Sequence, residues 1–211
     1  LRIVIMCSGL IAPMASILNA NPPPGKSAGQ QLRRHAQSAI SHRMEVPMNA
    51  LATLKTRRSI RAYRTDLVPP SIITDIVDCG RLAATARNLQ PWEFVVVTDP
   101  SLRFRLGDLI ETGRFIADAP VCIVVFCRET KYWLEDGCAA IQNMLVAAHA
   151  HGLGTCWVAG EKKPYVGQVA EFLGAPAGQK LVGLIALGYA AGNPESPPKR
   201  SVAEVIHWEK W

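Results

Sequence analysis

Three guanidinium groups and a hydroxyl fall within five residues at Arg57-Arg58-Ser59-Ile60-Arg61. Arginine forks match phosphate oxygens in bidentate fashion, and a serine hydroxyl or a backbone N–H completes such a cradle. Taken alone, a charge run more often marks a solvated face. A second basic pair, Lys199-Arg200, follows a proline-rich segment far along the chain, and the two clusters can converge on one phosphate. Neither a Gly-x4-Gly-Lys-Ser/Thr loop nor a Gly-x-Gly-x-x-Gly turn accompanies them, so a nucleotide held here relies on side chains. Between the clusters lies Asn88-Leu89-Gln90-Pro91-Trp92. The Asn88 amide offers both a donor and an acceptor, although Asn, Gln and Pro also suit a plain turn.

The elements that position these residues follow from periodicity. A helix is expected around 48–56, leading into the arginine motif. Pro69-Pro70-Ser71 signals a helix start, and Ile72, Ile73, Ile76 and Val77 share one of its faces. WEFVVV reads as a strand closed by Asp99-Pro100, SLRFRLGDLI as a helix, and APVCIVVFCR as a strand buried on both faces. DGCAAIQNMLVAAHAHG reads as a long helix with Ala140, Met144 and Ala148 stacked and Gly152 as its stop. GTCWVAG is a strand entering a turn, VGQVAEFLG a helix ending at Gly174, and KLVGLIALGYA another buried strand. The alternation of helix and strand predicts one layered α+β or α/β domain.

The length, 211 residues, suits one domain with a sizeable core. Hydrophobic residues make up 49% and charged residues 19%, the balance of a folded chain. The net charge of +6 is uneven. Residues 1–50 hold five of the 23 basic and one of the 17 acidic side chains, leaving only +2 on the rest. That body lacks the electrostatic footprint of a nucleic-acid binder. Six cysteines (7, 79, 122, 127, 138, 156) form no Cys-x-x-Cys pair and join no histidine cluster, so no metal site is expected. Most lie in apolar runs, as reduced core thiols do.

Residues 1–20 have one arginine, an apolar stretch and a terminal alanine, roughly the shape of a secretory leader. The fit is imperfect: Leu18 stands where a small residue is preferred, and Pro13 interrupts any membrane helix. A Pro/Gly/polar linker follows. Residues 1–47 are therefore expected to be a leader and linker or an over-extended start before Met44 or Met48, and poorly ordered. The second option is favoured because a reducing cytosol suits the cysteines. A cytoplasmic location and no stable membrane association are expected, with export left open by the leader-like stretch.

RRSIRAY, NLQPWEFVVV, DGCAAIQNMLVAAHAHGLGTCWVAG and ALGYAAGNPESPPKR…VIHWEKW, in this order over residues 48–211, resemble the nitroreductase family. The resemblance implies an α+β fold, with a mixed sheet flanked by helices and the domain completed by dimerisation. It implies flavin mononucleotide (FMN) as cofactor, with NADH or NADPH as reductant. By it, Arg57, Arg58, Ser59 and Arg61 hold the FMN phosphate and one side of the ring system, and Asn88 hydrogen-bonds the isoalloxazine. Trp157, Val158, Ala159 and Gly160 pass beside the ring, and Lys199 and Arg200 close on the phosphate. Where relatives often carry Pro-Ser-Ser before the asparagine, this chain has Ala84-Thr85-Ala86. Thr85 retains a hydroxyl to offer, and the departure from the family pattern bears on the contacts expected of its neighbours.

The implied activity passes hydride from NAD(P)H through the flavin to a small-molecule acceptor, a nitroaromatic, quinone or similar compound, by a ping-pong cycle. The implied assembly is a homodimer. A non-catalytic flavin-binding module is the alternative, and no nucleic-acid partner is expected. No protein acid or base is assigned: His149, His151 and His207 fit better as surface or structural residues. The C-terminal segment, with Trp208 and Trp211, is expected to reach across to the partner subunit.

Overall fold

The structure, a computed structural model, describes residues 49–192 and 194–211. The expectations for residues 1–47, and Cys7 with them, lie outside the described residues.

Helix α1 (Ala50–Thr56) starts where Asn49 accepts the Ala52 N–H at 2.8 Å through its side-chain oxygen, satisfying one orphan donor of the first turn. The arginine motif follows it directly. Helix α2 (Pro70–Arg81) takes Pro70 at its first position, where a missing N–H costs nothing. Strand β1 (Trp92–Val97) leads through Asp99, whose carboxylate caps the Leu102 N–H, into α3 (Pro100–Leu109). Then come β2 (Val121–Arg128), α4 (Trp133–Ala150), β3 (Gly154–Ala159), α5 (Val166–Phe172) and β4 (Gln179–Gly188). Short 3-10 turns occupy Ala86–Asn88, Glu111–Ile116 and Val202–Glu204.

The strands form one sheet in the order β1-β2-β4-β3. All three strand pairings are antiparallel. Among the described residues, the parallel component of the expected mixed sheet is a single bridge, Ser59 to Thr155, at the β3 edge.

The two central strands carry the core. Along β2, Val121, Ile123, Val125 and Cys127 join α2 and α4 on one face, while Cys122, Val124 and Phe126 join α3 and α5 on the other. Strand side chains alternate between faces, so a run buried throughout requires helices on both sides of the sheet. Helix α4 buries Ala140, Met144 and Ala148 completely, the stripe its sequence predicts. The described cysteines are all free. Burial pushes the Cys122 and Cys127 thiols up to about 12, which leaves them packing groups rather than nucleophiles.

Among the described residues, no group of three or more His, Cys, Asp or Glu side chains converges as a metal site. Among them, too, no helix is long and apolar enough to cross a membrane.

Candidate functional site

The arginine motif is laid along the free edge of β3. Ser59 bridges to Thr155 in parallel fashion, and the Ile60 N–H donates to the Thr155 carbonyl at 2.8 Å. Ile60 is buried, while Ser59 and Arg61 are exposed and Arg57 is half-buried. The period-two alternation of extended backbone thus turns positions 57, 59 and 61 away from the core residue Ile60. Arg58 differs. Its Nη1 donates to the carbonyls of Lys55 at 3.0 Å and Arg57 at 2.7 Å, so this guanidinium is folded back on its own backbone. The Arg61 guanidinium lies 5.8 Å from the centre of the Phe115 ring.

Two neighbours register the positive field of the motif. Burial, then Arg57 and Arg58, hold His149 below the ordinary histidine range. Its Nε2 stands 2.9 Å from the Thr56 hydroxyl. Burial raises the Cys156 thiol, while Arg61, Arg57 and a hydrogen bond from Ser59 pull it back. The hydroxyl of Thr155, the residue to which Ser59 bridges, is buried and has no hydrogen-bond partner among the described residues. Ser59 is flanked in the extended segment by Arg57 and Arg61, and guanidinium and hydroxyl donors together are the chemistry of an oxyanion cradle. The donor set fits a phosphate.

The central polar motif is a tight loop. Arg87, Asn88 and Gln90 all have left-handed backbone, with φ of 53°, 56° and 46°. Asparagine tolerates that region; arginine and glutamine adopt it only under constraint. The constraint is Asp136, in the first turn of α4 and 5% exposed. It accepts the Thr85 hydroxyl at 2.9 Å and the Ala86 N–H at 3.0 Å. The Thr85 oxygen in turn accepts the Gln90 N–H at 3.2 Å. The Thr85 hydroxyl is therefore committed to holding the loop rather than offered to a ligand. The Gln90 side-chain amide donates to Asn88 Oδ1 at 2.9 Å, and Arg128 donates to the Leu89 carbonyl from the end of β2.

The turn after β3 is fixed to the sheet. Trp157 is half-buried, Val158 buried and Ala159 exposed. The Ala159 carbonyl accepts the Tyr165 hydroxyl, and the Gly160 N–H donates to the Val182 carbonyl at 3.1 Å. Residue 160 must be glycine: a Cβ there would lie 2.7 Å from Leu181 Cγ and 2.8 Å from the Leu181 oxygen.

Lys199 and Arg200 are exposed in the C-terminal segment. Arg200 donates to the Glu204 carbonyl at 2.7 Å, inside a turn closed by a Ser201–Glu204 capping box. Among the described residues, neither one ion-pairs or hydrogen-bonds with residues 57–61. His151 pairs with Asp75 at 2.6 Å across α4 and α2, and His207 stacks on Trp211. Both are structural placements.

The sequence profile of the nitroreductase family matches residues 54–113 and 111–189. A protein of Methanothermobacter thermautotrophicus, provisionally named a NADH dehydrogenase/NAD(P)H nitroreductase, is 33% identical over 174 residues, spanning 78% of this chain and 88% of the relative. The structure of an FMN-dependent nitroreductase from Clostridium difficile superposes with a TM-score of 0.71 at 26% identity, covering 76% of this chain and 99% of the other. A candidate nitroreductase from Desulfovibrio desulfuricans, solved in complex with FMN, is 31% identical with a TM-score of 0.66, covering 77% and 97%. The matched segments contain the arginine motif, the Asn88 loop and the β3 turn, and on these grounds the chain belongs to the nitroreductase family.

Proposed function

We propose that this chain binds FMN and works, as a homodimer, as an NAD(P)H-dependent oxidoreductase acting on a small organic acceptor. The observation that carries the reading is the Ser59–Thr155 bridge. It sets two arginines and a serine hydroxyl beside the strand that ends in the Ala159-Gly160 turn. The FMN complex of the Desulfovibrio desulfuricans relative and the NAD(P)H in the name of the archaeal relative support the same choice of cofactor and reductant.

In this reading Arg57, Ser59 and Arg61 take the phosphate and one side of the ring, and Arg58 adds charge from behind. Asn88 meets the ring edge. The backbone of residues 157–160 runs beside the ring, held in place by Tyr165 and Val182. Lys199 and Arg200 close on the phosphate. FMN held by these residues would supply hydride-transfer chemistry between NAD(P)H and a nitroaromatic, quinone or similar acceptor, in a ping-pong cycle. The guanidinium groups favour the negative charge that accompanies reduction. Dimerisation is supported by large apolar side chains left in solvent: Leu51 and Leu54 on α1, and Val202, Trp208 and Trp211 on the arm. Free thiols at the described cysteines accord with a cytoplasmic setting.

The test is the visible absorption spectrum of protein purified with flavin available, followed by anaerobic NADH and NADPH. Flavin bands that bleach with either nucleotide are the expected result. Bound flavin that neither nucleotide reduces would make the protein a silent flavin carrier. Protein that stays colourless in added FMN would end the reading.

A further inference from the structure

Asp136 is a carboxylate buried in the first turn of α4, where the helix dipole favours negative charge. Among the described residues it forms no salt bridge. Its two oxygens instead accept two donors from a loop some fifty residues away in sequence, the Thr85 hydroxyl and the Ala86 N–H. An ionised carboxylate is acceptor-only, so both donors point inward and the Thr85 oxygen keeps a lone pair for the Gln90 N–H. The chain of bonds then leaves the backbone. Gln90 Nε2 donates to Asn88 Oδ1, which takes one of that oxygen's two lone pairs, ties the amide from its oxygen end and leaves both N–H groups of Asn88 able to donate.

We propose that Asp136 is the positioning residue of the site: through Thr85 and Gln90 it fixes the Asn88 loop, so that Asn88 meets the isoalloxazine as a hydrogen-bond donor. The proposal rests on the reading above that Asn88 faces the flavin. It accounts for three left-handed non-glycine residues within four positions, a conformation that persists only when its surroundings over-determine it. A donor aimed at a ring acceptor favours the more electron-rich, reduced flavin. Losing the clamp therefore lowers the midpoint potential of bound FMN, while the arginine cradle still holds the phosphate.

The test uses the full chain as wild type, Asp136→Ala, Asp136→Asn, Thr85→Val and Thr85→Ser. Amide hydrogen exchange over residues 85–90 is measured on flavin-free protein. FMN affinity, the visible band positions and the midpoint potential are measured on loaded protein. Asp136→Ala and Thr85→Val are expected to speed exchange in the loop at least tenfold with the sheet unchanged. They should weaken FMN binding about tenfold and shift both the bands and the potential downward. Thr85→Ser should restore wild-type values, and Asp136→Asn, which keeps one acceptor oxygen, should fall between. Should Asp136→Ala fail to fold, Thr85→Val carries the test. Exchange within twofold of wild type in the variants overturns the clamp. Faster exchange with an unshifted spectrum and potential overturns the positioning role. Wild-type protein that binds no FMN sinks the functional reading and the role at the ring with it, and the exchange data on flavin-free protein identify which of the two ideas has failed.

Discussion

The Ile60 N–H donates to the Thr155 carbonyl at 2.8 Å, and this one bond joins two motifs that stand almost a hundred residues apart. With it, Ile60 enters the core at 8% exposure and its neighbours Ser59 and Arg61 stay outside. A backbone so close to β3 demands a missing side chain there. A Cβ on Gly154 would stand 2.5 Å from Ile60 Cγ1 and 2.8 Å from Ile60 Cβ.

Gly154→Ala should therefore push the arginine motif off the sheet edge. Overpacking of this kind costs about 1–3 kcal/mol, read as a lowered midpoint in urea unfolding. The diagnostic feature is a second effect, weaker FMN binding, from a residue with no side chain to contact it. Unchanged FMN affinity in a destabilised Gly154→Ala protein would separate the edge contact from the cradle.

The three arginines of the motif should not be equivalent. Among the described residues no hydrogen bond or ion pair takes up the Arg57 and Arg61 guanidinium groups, although Arg61 lies over Phe115, and charge-assisted bonds of this type are worth about 1.5–3 kcal/mol. Replacing either by alanine should cost about ten- to a hundredfold in FMN affinity by titration calorimetry. Arg58 spends its Nη1 on the carbonyls of Lys55 and Arg57. Arg58→Ala should lose affinity less than tenfold while lowering thermal stability. Equal losses at all three positions would mean that the motif acts as diffuse charge.

Much of this architecture is legible in the sequence, because it is written in local periodicity. The unbroken apolar run of β2 implies helices on both sheet faces, and the 140–144–148 stripe implies the buried face of α4. The Thr85–Asp136 clamp is not local, and Asp136 was not among the expected site residues. A signal for it does exist: the stripe of Ala140, Met144 and Ala148, carried back one turn, lands on Asp136. A carboxylate on a core stripe requires buried donors, although their identity depends on how the chain returns. Nor do Arg87 and Gln90 carry any propensity for left-handed backbone; tertiary contacts impose it. The folding back of Arg58 is likewise a matter of rotamer, invisible in a run of basic letters.

His149 supplies a pH test with a defined sign. Its folded pKa lies below the ordinary value of 6.5, through burial and then Arg57 and Arg58. Above that value the ring is neutral in both folded and unfolded chains and contributes no pH dependence. As pH falls through about 6.5 the unfolded chain takes up the proton first. Folded stability therefore drops until the pH is below the folded pKa, where the loss is complete. His149→Gln removes this contribution, so the melting-temperature advantage of wild type over the variant should shrink between pH 8 and pH 5. A pH-independent difference would show that neither burial nor the arginines disfavour the charged ring in the folded protein.

The C-terminal arm, residues 194–211, offers a test that separates charge from assembly. From Pro194 onward every described residue is exposed, with Trp208 79% and Trp211 100% accessible, which a single subunit gains nothing by ordering. Tryptophans in such a place are suited to burial against another surface. Replacing Trp208 and Trp211 together by alanine should shift the protein toward monomer in sedimentation velocity at low micromolar concentration. Replacing Lys199 and Arg200 by alanine should leave the dimer intact and weaken FMN binding, more so at low ionic strength, where exposed charges are least screened. Ending the chain at Pro198 should do both. If the tryptophan variant remains a dimer with unchanged FMN affinity, the arm is a solvated tail and the subunits meet elsewhere, with Leu51 and Leu54 of α1 the next surface to mutate.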